Sequence, residues 1–289
     1  MVSLNEQIIS KNINAIFFDL YGTLLIYGNM STAWTDWFES VYNSFQKQGL
    51  SKTKEEFAQI CDGFFEREEP QVENDGLTVF ERRIKRLGLE TNLKLNISEI
   101  KETVTSAVRA WHKHITVDPE AYTTLNKLKQ SKRLGLISNF DHPPHIYSLL
   151  KENRLDDFFE VITISGEIGF KKPDTKIFHH TLHQTSLQPN QVVYVGDTDD
   201  DVFGSQQSGI LPILIQRNRS HNKNDALDYR SEISALENNE NKPNLSKKIL
   251  TISRLSELLA LLDKTNPVTT SKFVIGYDFS SFGPRLLSV

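Results

Sequence analysis

The segment that decides the fold is residues 14–23, with the sequence NAIFFDLYGT. Its first part, residues 14–20, is a nearly unbroken apolar run that ends at Asp19 and Leu20. A run of this kind is typical of a strand that is covered on both faces of a parallel sheet. Similar short runs follow at residues 134–138 (LGLIS), 158–164 (FFEVITI), 192–195 (VVYV) and 211–215 (LPILI). We therefore expect these five runs to be strands of one sheet.

Helical patterns separate the apolar runs. They lie at residues 119–130, 143–151, 173–185 and 199–207. The first begins with Pro119, a residue favoured in the first turn of a helix, and places Leu125 and Leu128 on one face. Residues 249–262 add a short strand and an amphipathic helix. This alternation predicts an α/β fold with a doubly wound parallel sheet.

Residues 30–116 have a different pattern, with several helical stretches and no clear strand. An all-helical block of roughly 90 residues is long enough to form a domain of its own. The sequence thus predicts a helical domain at 28–117, inserted into an α/β core of residues 1–27 and 118–264. Within it, an apolar stripe at helical spacing predicts packing inside a bundle rather than a binding cage. The stripe consists of Trp34, Trp37, Phe38, Val41 and Phe45.

Two segments fall outside this pattern. Residues 217–248 are polar and contain the runs NKND and ENNENK, which predict a surface insertion. Residues 265–289 follow the point at which the predicted core is complete, and the sequence assigns them no role.

Composition and charge exclude several classes of protein. The 33 basic and 37 acidic residues nearly balance, so the chain lacks the basic surface of a nucleic-acid-binding protein. A single cysteine, Cys61, excludes an internal disulfide and a zinc site built on several thiolates. The longest apolar run, residues 15–27, is too short to span a membrane, and the N-terminus has no signal-peptide pattern. We expect a cytoplasmic protein that binds neither nucleic acid nor membranes, with its oligomeric state left open.

Polar residues follow four of the predicted strands. They are Asp19 after the first run, Ser138 with Asn139 at the second, Lys172 after the third, and Asp197 with Asp201 after the fourth. Each alone also fits a helix cap or a turn. In open parallel sheets, however, the carboxyl ends of the strands meet at one edge, where the active site lies. We therefore expect these residues to converge on one cleft.

In this order, the polar residues resemble the motifs of the haloacid dehalogenase (HAD) superfamily, whose members are mostly phosphatases. The resemblance covers residues 14–216 and the strand and helix near 249–262. The helical insertion is similar to the cap domain of that family. The resemblance implies that Asp19 is the nucleophile and that Ser138 and Asn139 hold the transferred group. It also implies that Lys172 offsets negative charge and that Asp197 and Asp201 bind or orient magnesium.

General chemistry supports these residue types. A carboxylate that attacks phosphorus or an alkyl carbon forms a covalent intermediate that water then cleaves. Several carboxylates in one cleft repel each other unless a lysine or a metal ion neutralises them. Magnesium prefers oxygen ligands, and one or two carboxylates together with a substrate phosphate suit it. Beside Asp19, Gly22 allows the chain to turn sharply, and Thr23 is expected to hydrogen-bond to the nucleophile.

Tyr21 departs from the phosphatase pattern. Two positions after the nucleophile, the family usually has a second Asp, which protonates the leaving alkoxide and activates water. The Asp-x-Tyr-Gly-Thr sequence instead resembles the L-2-haloacid dehalogenase branch, in which halide leaves without a proton. A phenol with a pKa of about 10 is a poor substitute for a carboxylic acid near neutral pH. The backbone carbonyl of Tyr21 can still ligate magnesium.

Other positions differ from the dehalogenase branch. That branch has Ser-Ser-Asn where this chain has Gly196-Asp197-Thr198, and it has a tyrosine in place of Phe178. It also uses an arginine near the start of the cap, whereas residues 31–50 contain none. We therefore predict a magnesium-dependent phosphatase that acts on a small phosphorylated metabolite.

Two alternatives stay open at this point. One is an L-2-haloacid dehalogenase, and the other is a degenerate member that binds a ligand or a partner without turnover. His142 and His145 follow Asn139 closely, and we expect them to line the pocket. If alkyl and aryl phosphates were hydrolysed at equal rates, one of these histidines would have to supply the proton.

Overall fold

The structure is a computed structural model that describes residues 13–69, 75–217 and 249–262. The strands within these ranges are β1 (Ala15–Phe18), β2 (Leu25–Tyr27), β3 (Ile115–Val117), β4 (Arg133–Ser138), β5 (Val161–Ile164), β6 (Val192–Gly196), β7 (Leu211–Ile215) and β8 (Leu250–Ile252). The helices are α1 (Met30–Lys47), α2 (Lys54–Cys61), α3 (Val79–Glu90), α4 (Ile97–His112), α5 (Ala121–Lys129), α6 (Pro143–Glu152), α7 (Ser165–Ile168), α8 (Thr175–Thr185), α9 (Asp199–Gln207) and α10 (Glu257–Leu262).

Six of the strands form one parallel sheet in the order β5-β4-β1-β6-β7-β8. The chain runs outward from β1 to β4 and β5 on one side, and from β6 to β8 on the other. The predicted doubly wound α/β fold is therefore confirmed. Because β1 lies between β4 and β6, the residues that follow these three strands are neighbours at the carboxyl edge, at the point where the strand order reverses.

Side chains alternate between the two faces of the sheet. Ile16 and Phe18 pack into the apolar cluster on one face, and Ala15 and Phe17 pack into the cluster on the other. All four are buried, as expected for the central strand of a parallel sheet with helices on both faces. This burial explains why the strand is readable as an unbroken apolar run.

Four helices, α1 to α4, lie between β2 and β3 and enclose a separate apolar core. Val41, Phe45 and Phe57 are fully buried in that core, which confirms bundle packing for this part of the predicted stripe. The starts of α2, α3 and α4 each carry a capping box, in which the cap side chain and the acidic side chain three residues later satisfy each other's backbone N–H groups. All four helices fall within residues 28–117, and their assignment as a cap domain stays a prediction.

The strands β2 and β3 pair as an antiparallel ribbon that joins the helical unit to the sheet. The sequence shows no strand pattern here, because three-residue strands are too short for alternation to be visible. The fifth strand also begins later than predicted, at Val161, since a short 3-10 turn occupies Asp156–Phe158.

The predicted tail, 265–289, lies outside the described residues, as does the predicted surface insertion, 217–248, apart from Arg217. No helix in the described ranges is long and apolar enough to cross a membrane.

Candidate active site

Asp19 and Lys172 form a buried ion pair at the carboxyl edge of the sheet. The backbone N–H of Asp19 donates to the carbonyl of Val195 at 2.8 Å, so the pairing of β1 with β6 continues into this residue. Lys172 Nζ lies 2.5 Å from Asp19 Oδ1 and 2.7 Å from Asp201 Oδ1. Burial by itself would lower the pKa of Lys172, but the two carboxylates outweigh it and raise that pKa. The lysine is therefore a permanent cation beside the predicted nucleophile.

The carboxylate of Asp201 is saturated by donors from the chain. Its Oδ1 accepts hydrogen bonds from Lys172 and from the hydroxyl of Tyr194, at 2.7 and 3.0 Å. Its Oδ2 accepts from the backbone N–H and the hydroxyl of Thr198, at 3.0 and 2.6 Å. A carboxylate offers about four lone-pair positions, and four donors occupy them here. Asp201 is thus placed to orient Lys172. Direct binding of magnesium by Asp201 stays a prediction.

A tight approach at Gly22 brings Asp197 next to the loop that follows Asp19. Gly22 has a φ of +88°, a backbone conformation that favours glycine. A Cβ atom at Gly22 would lie 2.1 Å from a carboxylate oxygen of Asp197. Any side chain at Gly22 would therefore displace Asp197, which explains in physical terms why glycine occupies this position.

Three carboxylates meet in this edge of the sheet. Asp19, Asp197 and Asp201 each offer an oxygen that lies within 4.8 Å of the other two. Lys172 supplies a single positive charge against three negative ones, so the cluster favours a further cation. Oxygen donors of this kind are the ligands that magnesium prefers. The donor set fits magnesium, and Asp19 and Asp197 are the side chains best able to hold it, with the Tyr21 carbonyl as a predicted third ligand.

Ser138 and Asn139 lie at the end of β4, and the structure gives them different surroundings. The Ser138 hydroxyl is buried beside the site and has no hydrogen-bond partner among the described residues. The Asn139 amide donates to the carbonyl of Lys172 at 3.0 Å and accepts from its backbone N–H at 2.8 Å. Ser138 therefore keeps a donor for an incoming group, whereas Asn139 holds the backbone of Lys172 in place. Substrate binding by either residue stays a prediction.

The hydrogen bond predicted from Thr23 to Asp19 is absent. Thr23 is fully buried, and its hydroxyl has no partner within the described ranges. Two backbone carbonyls of this loop, those of Gly22 and Thr23, instead accept from Arg217, which also pairs with Asp118 at 2.7 Å. Arg217 follows β7 and opens a polar stretch of sequence, so nothing in the pattern distinguishes it from a surface residue.

Tyr21 is buried against aromatic rings and carries no acid function near neutral pH. Its ring stacks on Phe140 at a centroid distance of 5.4 Å and contacts Trp111 at 5.3 Å. Burial and, to a lesser degree, the charge of Asp19 raise the pKa of the phenol well above 10. Its hydroxyl has no hydrogen-bond partner in the part of the chain that the structure describes. The structure therefore offers no reason to treat this side chain as a proton donor.

The histidines do not supply a substitute, and their predicted place in the pocket is wrong. Neither His142 nor His145 is among the residues that line the described cavity. His142 Nδ1 lies 3.0 Å from the hydroxyl of Thr78, and the ring of His145 contacts that of His112 at a centroid distance of 4.9 Å. Burial, with a smaller effect of the two neighbouring histidines, lowers the pKa of His145 to about 3. An imidazole with that pKa is neutral under ordinary conditions and cannot serve as a general acid.

A cavity of about 380 Å³ lies between the carboxyl edge of the sheet and the helices α1, α3 and α4. Asp19, Ser138, Lys172 and Asp197 line its floor. Its upper wall is largely aromatic and includes Trp34, Trp37, Phe65, Phe80 and Trp111. Trp34 and Trp37, predicted as bundle packing, therefore have a second role in forming this wall.

Comparison with known proteins agrees with this architecture. A family model described as haloacid dehalogenase-like hydrolase matches residues 16–215. Glyceraldehyde 3-phosphate phosphatase of Methanopyrus kandleri is 28% identical over 146 residues, which cover 48% of this chain and 59% of that protein. Pyrimidine 5'-nucleotidase YjjG of Escherichia coli is 32% identical over 99 residues, which cover 32% of this chain and 41% of that protein. The chain thus spans about half the length of the relatives that it matches.

Solved structures share the fold at lower identity. The HAD phosphatase from Thermococcus onnurineus superimposes with a TM-score of 0.57 at 21% identity, covering 87% of this chain and 99% of that one. The 2-haloacid dehalogenase from Pseudomonas syringae pv. Tomato DC3000 gives 0.56 at 20% identity, covering 86% and 98%. Since both a phosphatase and a dehalogenase match equally well, this likeness establishes the fold alone.

Proposed function

Because the chain belongs to the haloacid dehalogenase-like hydrolase family, we propose that it is a magnesium-dependent phosphatase that acts on a small phosphorylated molecule. Asp19 would be the nucleophile and would form a covalent aspartyl phosphate. The observation that carries this proposal is the cluster of Asp19, Asp197 and Asp201 around a single lysine. A dehalogenase needs no such excess of negative charge, whereas a phosphatase with a divalent cation does.

The bond changes of the reaction can be assigned to groups of this chain, whereas protonation of the leaving oxygen cannot. An oxygen of the Asp19 carboxylate attacks phosphorus, and the bond from phosphorus to the leaving oxygen breaks with its electron pair on that oxygen. Lys172 offsets the negative charge of the neighbouring carboxylates. Together with Ser138, it stabilises the negative charge on the transferred phosphoryl group. The oxygen of a water molecule then attacks phosphorus, and the bond from phosphorus to the Asp19 oxygen breaks with its electron pair on the carboxylate. The protons of that water leave with the released phosphate, and Asp19 is regenerated. When bound, magnesium would neutralise charge on the phosphoryl oxygens.

The proton for the leaving oxygen has no evident source among the described residues. Tyr21 occupies the position of the usual acid, and burial raises the pKa of its phenol well above 10, which makes it a weak acid. The site is therefore best suited to leaving groups that depart as stable anions, such as aryl or acyl oxyanions. The two sequence relatives named above are a glyceraldehyde 3-phosphate phosphatase and a pyrimidine 5'-nucleotidase, which supports a phosphorylated substrate but does not identify it.

A dehalogenase is the second candidate, and Tyr21 is the specific observation that favours it. In that reaction the same carboxylate would displace halide from carbon, and no proton would be needed. A protein that binds a phosphorylated ligand without turnover is the third, because Tyr21 removes an acid that turnover commonly uses.

A panel of phosphate monoesters and 2-haloacids, assayed with magnesium and with EDTA, separates the three. We expect hydrolysis of at least one class of phosphate with magnesium and its loss in EDTA. Halide release that persists in EDTA would contradict the phosphatase proposal and favour the dehalogenase. Ligand binding with no release of phosphate or halide would favour the third candidate.

A further inference from the structure

Aromatic side chains connect the catalytic loop to the far end of the cavity. Ring centroids are 5.3 Å apart for Tyr21 and Trp111, 6.1 Å for Trp111 and Trp34, and 5.9 Å for Trp34 and Trp37. Phe65 continues the series, with its centroid 5.4 Å from that of Trp37. These rings form a wall that begins beside Asp19 and extends into the helical cap. A group that leaves from a phosphate at Asp19 would lie against it.

Two of the indole groups in this wall, those of Trp37 and Trp111, have no hydrogen-bond acceptor for their N–H within the described residues. Both N–H groups are buried. Buried tryptophans usually find such a partner, because an unpaired donor costs free energy. The two side chains nevertheless line the cavity. Because these N–H groups are buried, a ligand in the cavity would meet the apolar parts of the two rings rather than their polar atoms.

The charges of the wall are already paired. Arg83 donates to Asp141 at 2.9 Å, and Lys171 lies 3.1 Å from Glu69. The third cation among the described lining residues is Lys172, and Asp19 and Asp201 hold it. A leaving group with its own phosphate or carboxylate would find no uncommitted cation in this lining. The cavity therefore favours a leaving group without charge.

From these three features, and resting on the proposed phosphatase function, we propose that the substrate is a phosphate monoester whose leaving group is an uncharged aromatic ring. Trp37, Trp34 and Trp111 would determine this specificity by stacking on the ring or meeting its edge. The proposal is compatible with the absence of an acid at Tyr21, because aryl oxyanions depart without prior protonation. The aromatic lining of the cavity concerns binding of the leaving group, whereas the residue at position 21 concerns cleavage of its bond to phosphorus. The two arguments are therefore independent.

Binding of non-hydrolysable phosphonates tests the recognition step apart from the chemistry. We would compare benzylphosphonate with cyclohexylmethylphosphonate, which have similar sizes but a flat and a puckered ring. Titration calorimetry would use the full chain with magnesium, at a pH at which both ligands are dianions. Trp37→Leu removes one ring of the wall. Phe38→Leu is the matched control, because Phe38 lies on the same helix and packs on Tyr42 and Phe57 outside the cavity lining.

We expect the benzyl ligand to bind about tenfold more tightly than the cyclohexylmethyl ligand in the wild-type protein. Trp37→Leu should remove most of this preference, whereas Phe38→Leu should retain it, with both variants folded by circular dichroism. Equal affinities in the wild type, or a preference that survives Trp37→Leu, would overturn the proposal while leaving phosphatase activity on other esters intact. If neither phosphonate binds and no phosphate ester is hydrolysed, the proposed function fails, and this inference fails with it.

Discussion

The ammonium group of Lys172 lies 2.5 Å from the carboxylate of Asp19, although 153 positions separate the two residues in the sequence. Both side chains are nearly inaccessible to water. A buried pair of this kind contributes little to stability after desolvation, so its retention is more readily explained by function. Asn139 fixes the backbone of Lys172, and Asp201 fixes its ammonium group. The carboxylate of Asp19, the proposed nucleophile, is therefore paired with a cation that the chain itself holds in place.

Replacement of Lys172 by Met should therefore reduce kcat by about 10²–10³-fold, because the site loses the cation that contacts both Asp19 and Asp201. The control is Lys171→Met, since Lys171 is exposed and pairs with Glu69 at the edge of the cavity. Steady-state kinetics on the best phosphate substrate would measure both variants. A larger loss in Lys171→Met than in Lys172→Met would place the catalytic lysine one residue earlier than the structure indicates.

Asp197 and Asp201 should differ in their effect on metal affinity. Asp201 already accepts four hydrogen bonds, so Asp201→Asn is expected to alter Lys172 and the start of α9 more than the metal. Asp197→Asn should raise the magnesium concentration for half-activation by at least about tenfold more than Asp201→Asn does. Activation curves and calorimetric magnesium titrations provide the measurement. Equal shifts in the two variants would show that Asp201 ligates the ion directly.

Arg217 should act as a positioning residue for the loop that carries the nucleophile. Its guanidinium donates to the carbonyls of Gly22 and Thr23, which directly follow the catalytic segment. We expect Arg217→Met to lower kcat by about 10–100-fold with little change in KM, because misplacement of the loop affects the reacting atoms. Arg254→Met is the control, since Arg254 is exposed on the far strand–helix connection. A change confined to KM would instead indicate contact with substrate.

The leaving group should govern the rate, because the buried phenol of Tyr21 is a weak acid where the family usually has a carboxylic acid. Aryl and acyl phosphates should be cleaved far faster than alkyl phosphates. Tyr21→Asp should raise alkyl-phosphate hydrolysis by about 10²–10⁴-fold, the usual contribution of a positioned acid. Tyr21→Asn serves as the matched variant, because it has the same size as Asp without the acid. Comparable wild-type rates on alkyl and aryl phosphates would show that another group protonates the leaving oxygen.

The sheet and the strand-end residues were readable from the sequence for a common reason. Strands buried on both faces must be apolar throughout, so residues 14–20 and 192–195 stand out, and the polar residues after them are conspicuous. The sequence pattern did not predict the ribbon of β2 and β3, because each of its strands has only three residues. Its pairing depends on contacts between segments that are far apart in the chain.

The finer features of the site depend on side-chain directions that a sequence does not contain. Tyr194 lies within an apolar strand and reads as core, yet its hydroxyl donates to Asp201. The residues from Thr198 to Asp201 have the pattern of a capping box, and the structure contains that capping box. The pattern does not show that the Asp201 carboxylate also accepts a hydrogen bond from Lys172. Thr23 looked able to orient Asp19, but the turn at Gly22 directs the loop carbonyls towards Arg217 instead.

Trapping of the covalent intermediate tests the central claim most directly. The full chain would be mixed with a substrate carrying radioactive phosphate and magnesium, quenched in acid during a single turnover, and digested for mass spectrometry. We predict label on the peptide that contains Asp19, released by hydroxylamine as expected of an acyl phosphate, and absent from Asp19→Asn. Phosphate release by Asp19→Asn at the wild-type rate, or wild-type turnover with the label on a different residue, would contradict the account.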